Sequence, residues 1–128
     1  DSAAVARGAY VLADADQPEL VIAATGSEVA VAMDAAATLV ASGRSVRVVS
    51  MPCIEDFAAQ DDSYRESVLP ANIPIISVEA GVTFGWDRWS DRQVGIDRFG
   101  ASAPGGRVMT ELGISPTAVV AAAEDLLA

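Results

Sequence analysis

The sequence predicts an α/β fold in three layers, α/β/α, with helices on both faces of a four- or five-stranded, mostly parallel sheet. Three short apolar runs with polar flanks, at 19–24, 46–50 and 74–79, carry this prediction. Short continuous apolar runs are typical of strands that are buried on both faces, as in parallel sheets. A helical pattern between the first two runs completes a βαβ unit, whose crossover is almost always right-handed.

The helix of this unit is predicted over residues 29–42. Apolar residues recur at helical spacing, at Val29, Met33, Ala36 and Val40. Gly43 follows the pattern and supplies the left-handed residue at which helices favour ending.

The rest of the chain continues the alternation of strands and helices. Pro52 ends the second strand, and residues 61–69 predict a short helix that Pro70 closes. Residues 93–99 alternate apolar and polar side chains, which predicts a fourth, more exposed strand. Ala9 to Ala13 form either one more strand or the end of a lead-in helix.

Two helical segments and one loop complete the predicted elements. Residues 81–89 are interpreted as an aromatic, glycine-bearing loop with a helical turn, and residues 104–113 as a helix. Ser115 followed by Pro116 is the signature of a helix start, so a last helix is predicted through Leu127.

Length and charge restrict the classes of function. The 128 residues suit one domain, 1–128, with a single core. A net charge of −10 repels phosphate backbones and anionic lipid, so we expect neither nucleic acid nor a membrane surface as a partner. No apolar run approaches the ~20 residues of a membrane span. The single cysteine, Cys53, cannot form an internal disulfide, which suits a cytoplasmic location.

The chain contains no histidine. Its absence removes the Ser-His-Asp and Cys-His arrangements, the usual zinc ligand sets and the commonest general base. Any chemistry would depend on carboxylates, Cys53 or backbone groups.

The segment Thr25-Gly26-Ser27-Glu28 lies between a predicted strand and helix, where free N–H groups can bind phosphate. The dinucleotide fingerprint needs three spaced glycines, and the P-loop needs a lysine; the segment has neither. Thr25 and Glu28 fit a capping box instead, in which a carboxylate occupies the anion position. We favour capping over ligand binding.

Cys53 follows the second strand, at the edge where doubly wound sheets bind ligands. A reactive thiolate needs a cation, a helix N-terminus or a metal nearby, whereas the sequence neighbours Glu55 and Asp56 raise a thiol pKa. An inert cysteine is therefore favoured over a nucleophile.

Glu79 ends a run that should be buried, so its carboxylate needs a partner. It is either a charge directed at the carboxyl edge of the sheet or an anchor for backbone N–H groups of the 81–85 loop or for Arg88. We favour the anchor.

Five segments together resemble the C-terminal domain of transketolases. They are GAYVL (8–12), ELVIAATGSEV (19–29), VRVVSMPCIEDFAAQDDSYRESVLP (46–70), SVEAG (77–81) and DRFGASAP (97–104). They occur in the family's order and cover nearly the whole chain.

The resemblance implies a thiamine-diphosphate enzyme that transfers two-carbon ketol units between sugar phosphates in the pentose phosphate pathway. It implies a homodimer of chains with three domains, whose pyrophosphate- and pyrimidine-binding domains are absent from this chain. The Gly-Asp-Gly motif for Mg and the diphosphate is also absent, so the resemblance carries over no catalytic, cofactor-binding or metal-binding residue. It implies that this domain, alone, is structural and inactive.

The alternative is a regulatory module that binds a small anion or a nucleotide. Its candidate residues are Thr25, Gly26, Ser27 and Glu79, which would act together at the carboxyl edge of the sheet.

Replacing Glu79 with Ala tests the anchor. If the carboxylate accepts hydrogen bonds from buried N–H groups, the free energy of unfolding should fall by about 1–3 kcal/mol in urea titrations. A change smaller than about 0.5 kcal/mol, the range of neutral surface substitutions, would contradict the anchor.

Overall fold

A computed structural model describes residues 7–26, 28–79, 91–95 and 115–128. The described strands are β1 (Tyr10–Ala13), β2 (Leu20–Ala24), β3 (Val46–Ser50), β4 (Ile75–Glu79) and β5 (Arg92–Gly95). The described helices are α1 (Glu28–Ala41), α2 (Ile54–Ala58), α3 (Asp62–Val68) and α4 (Pro116–Leu127). The predictions for 81–89 and 104–113, and the end of the strand predicted at 93–99, lie outside the described residues.

The strands form one sheet in the order β1-β3-β2-β4-β5. The pairs β2/β3, β2/β4 and β4/β5 are parallel, whereas β1 pairs with β3 antiparallel and shifts register between Val11 and Ala13. The predicted four- or five-stranded, mostly parallel sheet is confirmed, and it has five strands. The open alternative at residues 9–13 is decided in favour of a strand.

Helices cover both faces of the sheet, because its central strand is apolar on both sides. All five residues of β2 are fully buried. Leu20, Ile22 and Ala24 face α1 and α4, and Val21 and Ala23 face the side of α2 and α3. The predicted α/β/α layering is therefore confirmed.

The buried face of α1 differs from the predicted one. Its buried residues are Ala32, Ala35, Ala36 and Leu39. Met33 and Val40 are 38% and 54% exposed, so the expectation that they share the apolar face with Ala36 was wrong. Small alanine side chains let the helix approach the sheet closely, so the stripe richest in alanine packs inward.

The end of α1 positions an arginine between two carboxylates. Gly43 has φ +98°, and the N–H of Arg44 donates to the Leu39 carbonyl at 2.9 Å, which is a Schellman ending. The Arg44 guanidinium then binds Glu19 at 3.3 Å and Glu124 at 2.7 Å. This bridge joins the start of β2 to the last turn of α4.

The helices differ in whether the sequence provides a capping residue at their N-terminus. The Ser115 hydroxyl accepts from the N–H of Ala118 at 3.1 Å, which confirms the predicted N-cap of α4. Asp61 caps α3 in the same way through the N–H of Tyr64. At α2 the N-cap is Cys53, whose side chain makes no capping hydrogen bond, and this helix was not predicted.

None of the helices within the described ranges is long and apolar enough to cross a membrane.

Arg47 ties the edge strand β1 to α3. Its guanidinium donates to both carboxylate oxygens of Asp14, at 2.9 and 3.2 Å, just beyond the end of β1. It also donates to the carbonyl oxygens of Ser67 and Val68, at 2.8 and 3.2 Å, in the last turn of α3. The hydrogen bond from Arg47 lowers the pKa of the Asp14 carboxyl, with a further contribution from the N–H of Ala15.

Asp14→Asn should make the protein less stable at neutral pH. Because the pKa of Asp14 is lowered on folding, its contribution is present above the ordinary carboxyl pKa, about 3.9, and is lost as the pH falls through the folded-state value. Asp14 is exposed, so we expect a loss of about 0.5–1 kcal/mol at pH 7 that shrinks below about pH 4.

Urea unfolding at pH 7 and pH 3 measures this difference. Asp16→Asn is the matched control, since Asp16 is also an exposed aspartate and is close in sequence. Equal effects of the two substitutions at pH 7 would show that the Arg47 pair adds nothing specific.

Candidate functional site

Thr25, Gly26 and the backbone of Glu79 lie at the carboxyl edge of the sheet. The chain leaves β2 towards β3 on one side and leaves β4 towards β5 on the other, so the topology switches between β2 and β4. Doubly wound sheets bind ligands at such switch points. Ala24 pairs with Val78 in register, which brings the backbone of Thr25 and Glu79 to the same end of adjacent strands.

The start of α1 offers an anion fewer donors than a free helix end would. The N–H of Glu28 donates to the Thr25 carbonyl at 3.0 Å, and that of Val29 donates to the Gly26 carbonyl at 3.3 Å. These N–H groups are among those that would face a bound phosphate. The turn that leads into the helix therefore already uses two of them.

The predicted capping box pairs Thr25, as the N-cap, with Glu28 three residues later. The structure gives helix α1 from Glu28 onwards. Ser27, which precedes it, lies outside the described residues. The side-chain exchange between Thr25 and Glu28 stays a prediction.

Gly26 allows the left-handed backbone conformation of this turn. Its φ is +52°, in the left-handed region, and an added Cβ would find no atom within 4 Å. This dihedral angle favours glycine at position 26. None of these contacts supports the small-anion module. The Glu79 backbone ends β4 opposite Gly95, and its side chain lies outside the described residues.

Cys53 lies between the end of β3 and the start of α2, and it is partly exposed. The Asp56 N–H lies near the thiol without making a capping hydrogen bond, and as the largest single influence it lowers the pKa of Cys53. Desolvation and the carboxylates of Asp56 and Glu55 together outweigh it, so that the pKa of Cys53 is raised above its ordinary value. The thiol lies 3.5 Å from Glu55 Oε1. A raised pKa opposes thiolate formation, which agrees with the inert interpretation of Cys53.

The described residues do not fit a thiamine-diphosphate and metal site. Within the described ranges no group of three or more Cys, Asp or Glu side chains is arranged to hold a metal ion. The sequence also lacks a Gly-Asp-Gly segment. No step of cofactor chemistry is therefore assigned to this chain.

The described arginine side chains are all engaged within the domain. The eight basic residues of the chain are all arginines, and four of them have described side chains. Arg44 and Arg47 bind the carboxylates and carbonyls named above. Arg65 pairs with Asp62 and donates to the Ala58 carbonyl, and the Arg7 guanidinium lies 5.1 Å from the Tyr64 ring centroid.

Sequence reasoning missed the contacts of Arg47 and Tyr64. Tyr64 Oη donates to the Ala9 carbonyl at 2.5 Å, across 55 residues of sequence, and Arg47 reaches Asp14 across 33. No local pattern marks such pairs. The RESVLP segment was the only sequence signal near these contacts. It predicted a helix, but not the residues that the helix contacts.

The family described as "Transketolase-like TK C-terminal domain" matches residues 8–115. The plasmid transketolase of Cupriavidus necator is 51% identical over 126 residues, which are 96% of this chain and 19% of that protein. The structure of transketolase from Leishmania mexicana has a TM-score of 0.85 at 49% identity and covers 97% of this chain and 18% of that one.

A complex of Pichia stipitis transketolase with sedoheptulose 7-phosphate has a TM-score of 0.80 at 39% identity and covers 93% of this chain and 18% of that one. The chain thus spans about a fifth of the length of these relatives. Since the family match covers most of the chain and the fold agrees, the chain belongs to the transketolase-like C-terminal domain family.

Proposed function

We propose that the chain is the structural, non-catalytic C-terminal domain of a transketolase, an enzyme that transfers two-carbon ketol units between sugar phosphates. Thiamine diphosphate and a divalent cation such as Mg would be bound by pyrophosphate- and pyrimidine-binding domains outside this chain. Residues 1–128 would form one domain, and its partners would be those other domains and the dimer mate. The intact enzyme would be a cytoplasmic homodimer.

The proposed non-catalytic role is supported mainly by the described arginine side chains, which bind partners within the domain. A site for a diphosphate or a sugar phosphate needs cationic side chains or free N–H groups directed at the ligand. Each arginine side chain within the described ranges is bound to a carboxylate, a carbonyl or an aromatic ring of the domain itself. With a net charge of −10, the field of the chain opposes anionic cofactor and substrate alike.

The substrate class is supported by the relatives. The Pichia stipitis enzyme was solved with sedoheptulose 7-phosphate, a sugar phosphate of the kind that a ketol transferase uses as a donor. This chain matches the part of such enzymes that the family description names as C-terminal. Its proposed contribution is to pack against the other domains, without touching the reacting atoms.

A domain replacement tests this proposal directly. In the Cupriavidus necator plasmid transketolase, the matched segment of 126 residues is replaced by this chain, and ketol transfer from sedoheptulose 7-phosphate is measured. The replaced enzyme should keep turnover within about tenfold of the unmodified enzyme, because the reacting groups lie elsewhere and only their positioning is at risk. Cys53→Ser in the replaced enzyme should leave turnover unchanged.

The isolated 128-residue chain is the second arm of this experiment. Calorimetry should detect no saturable binding of thiamine diphosphate with magnesium at millimolar concentration, and the chain should transfer no ketol group. Turnover by the chain alone that Cys53→Ser abolishes would overturn the proposal. A replaced enzyme that folds as a dimer, binds the cofactor and lacks all turnover would overturn it as well.

A further inference from the structure

The segment that leads into the domain is held at both ends by the same short helix. We define the strap as residues 7–14, which comprise the lead-in, β1 and Asp14. At its start, Ala9 is fully buried among residues of α2, α3 and the sheet, including Phe57 and Val68. At its end, Asp14 is tied through Arg47 to the last turn of α3. Helix α3 therefore contacts the start of the strap directly, through Tyr64, and is joined to its end through Arg47 of β3.

The first anchor depends on the absence of a side chain at residue 8. Gly8 is buried with φ +89°, and a Cβ added there would lie 2.3 Å from the Cys53 carbonyl oxygen and from the Phe57 nitrogen. The Gly8 carbonyl in turn accepts from the N–H of Cys53 at 3.1 Å. The backbone of the strap is thus pressed against the first turn of α2, with no room for any other residue type.

Tyr64 of α3 completes this anchor. Its hydroxyl donates to the Ala9 carbonyl at 2.5 Å, and its ring packs edge-on against Phe57 with centroids 6.2 Å apart. The Arg7 guanidinium lies over the same ring. One aromatic side chain therefore binds the strap by a hydrogen bond and a cation–π contact while it is fixed by α2.

We infer that helices α2 and α3 act as an anchor that holds the strap as a distinct cooperative unit and so fixes the direction in which the chain enters the domain. An edge strand of four residues has few ladder hydrogen bonds of its own and would fray without such contacts. This further step rests on the proposed function: the same anchor would set the orientation of this domain relative to the domain that precedes it in a transketolase.

Hydrogen exchange on the 128-residue chain tests the anchor without any activity measurement. Tyr64→Phe removes only the hydroxyl that binds Ala9. We expect the backbone N–H groups of residues 9–13 to exchange about five- to tenfold faster, the effect of losing one hydrogen bond, while those of β2 change less than about twofold. Tyr10→Phe, in the only other tyrosine of the chain, is the matched control and should leave both rates unchanged.

A second variant disrupts the contact between the strap and α2 by a steric clash. Gly8→Ala places a methyl group against the backbone of α2, so the strap should lose protection by more than tenfold while β2 stays protected. The inference is overturned if Tyr64→Phe leaves exchange at residues 9–13 unchanged, or if strap and β2 accelerate equally in both variants, which would make the strap part of one global unit. These outcomes do not bear on turnover of the replaced enzyme, so the two proposals fail separately.

Discussion

The five residues of β2 are buried on both faces of the sheet, and this burial determines what must surround them. An apolar strand with no polar face cannot lie at an edge or against solvent, so it needs a paired strand on each side and a helical layer above and below. Strands β3 and β4 supply the pairs, α1 and α4 one layer, and α2 with α3 the other. The positions of the other elements, including the strap, follow from the need to cover this strand.

The central elements were predictable because their signals are local. The runs at 19–24, 46–50 and 74–79 became β2, β3 and β4 with boundaries within a residue. The buried face of α1 was not predicted, because Asp34 and Thr38 are its only polar residues after Glu28 and mark only a narrow polar side. Close packing favoured the alanine stripe over Met33 and Val40. Helix α2 was missed because Cys53 provides no capping side chain, so the acidic residues of the first turn are the start signal that remains.

Much less of the candidate site could be predicted. The sequence located Thr25 and Gly26 at the end of one strand and Glu79 at the end of another. The sheet order then placed these two strand ends side by side. It could not show that Glu28 and Val29 donate to carbonyls in the turn, since such bonds depend on where the helix begins. Nor could it show that Arg44 bridges to Glu124, 80 residues away, which is a property of the tertiary packing.

The segments that carry the family resemblance contribute packing in this structure. Gly8 of GAYVL admits the backbone of α2, Met51 after β3 is fully buried, and Tyr64 of the YRESVLP segment binds Ala9. Each of these residues contributes through its shape, its burial or a backbone hydrogen bond. The constraints that these segments meet within the described residues are therefore those of burial and chain direction.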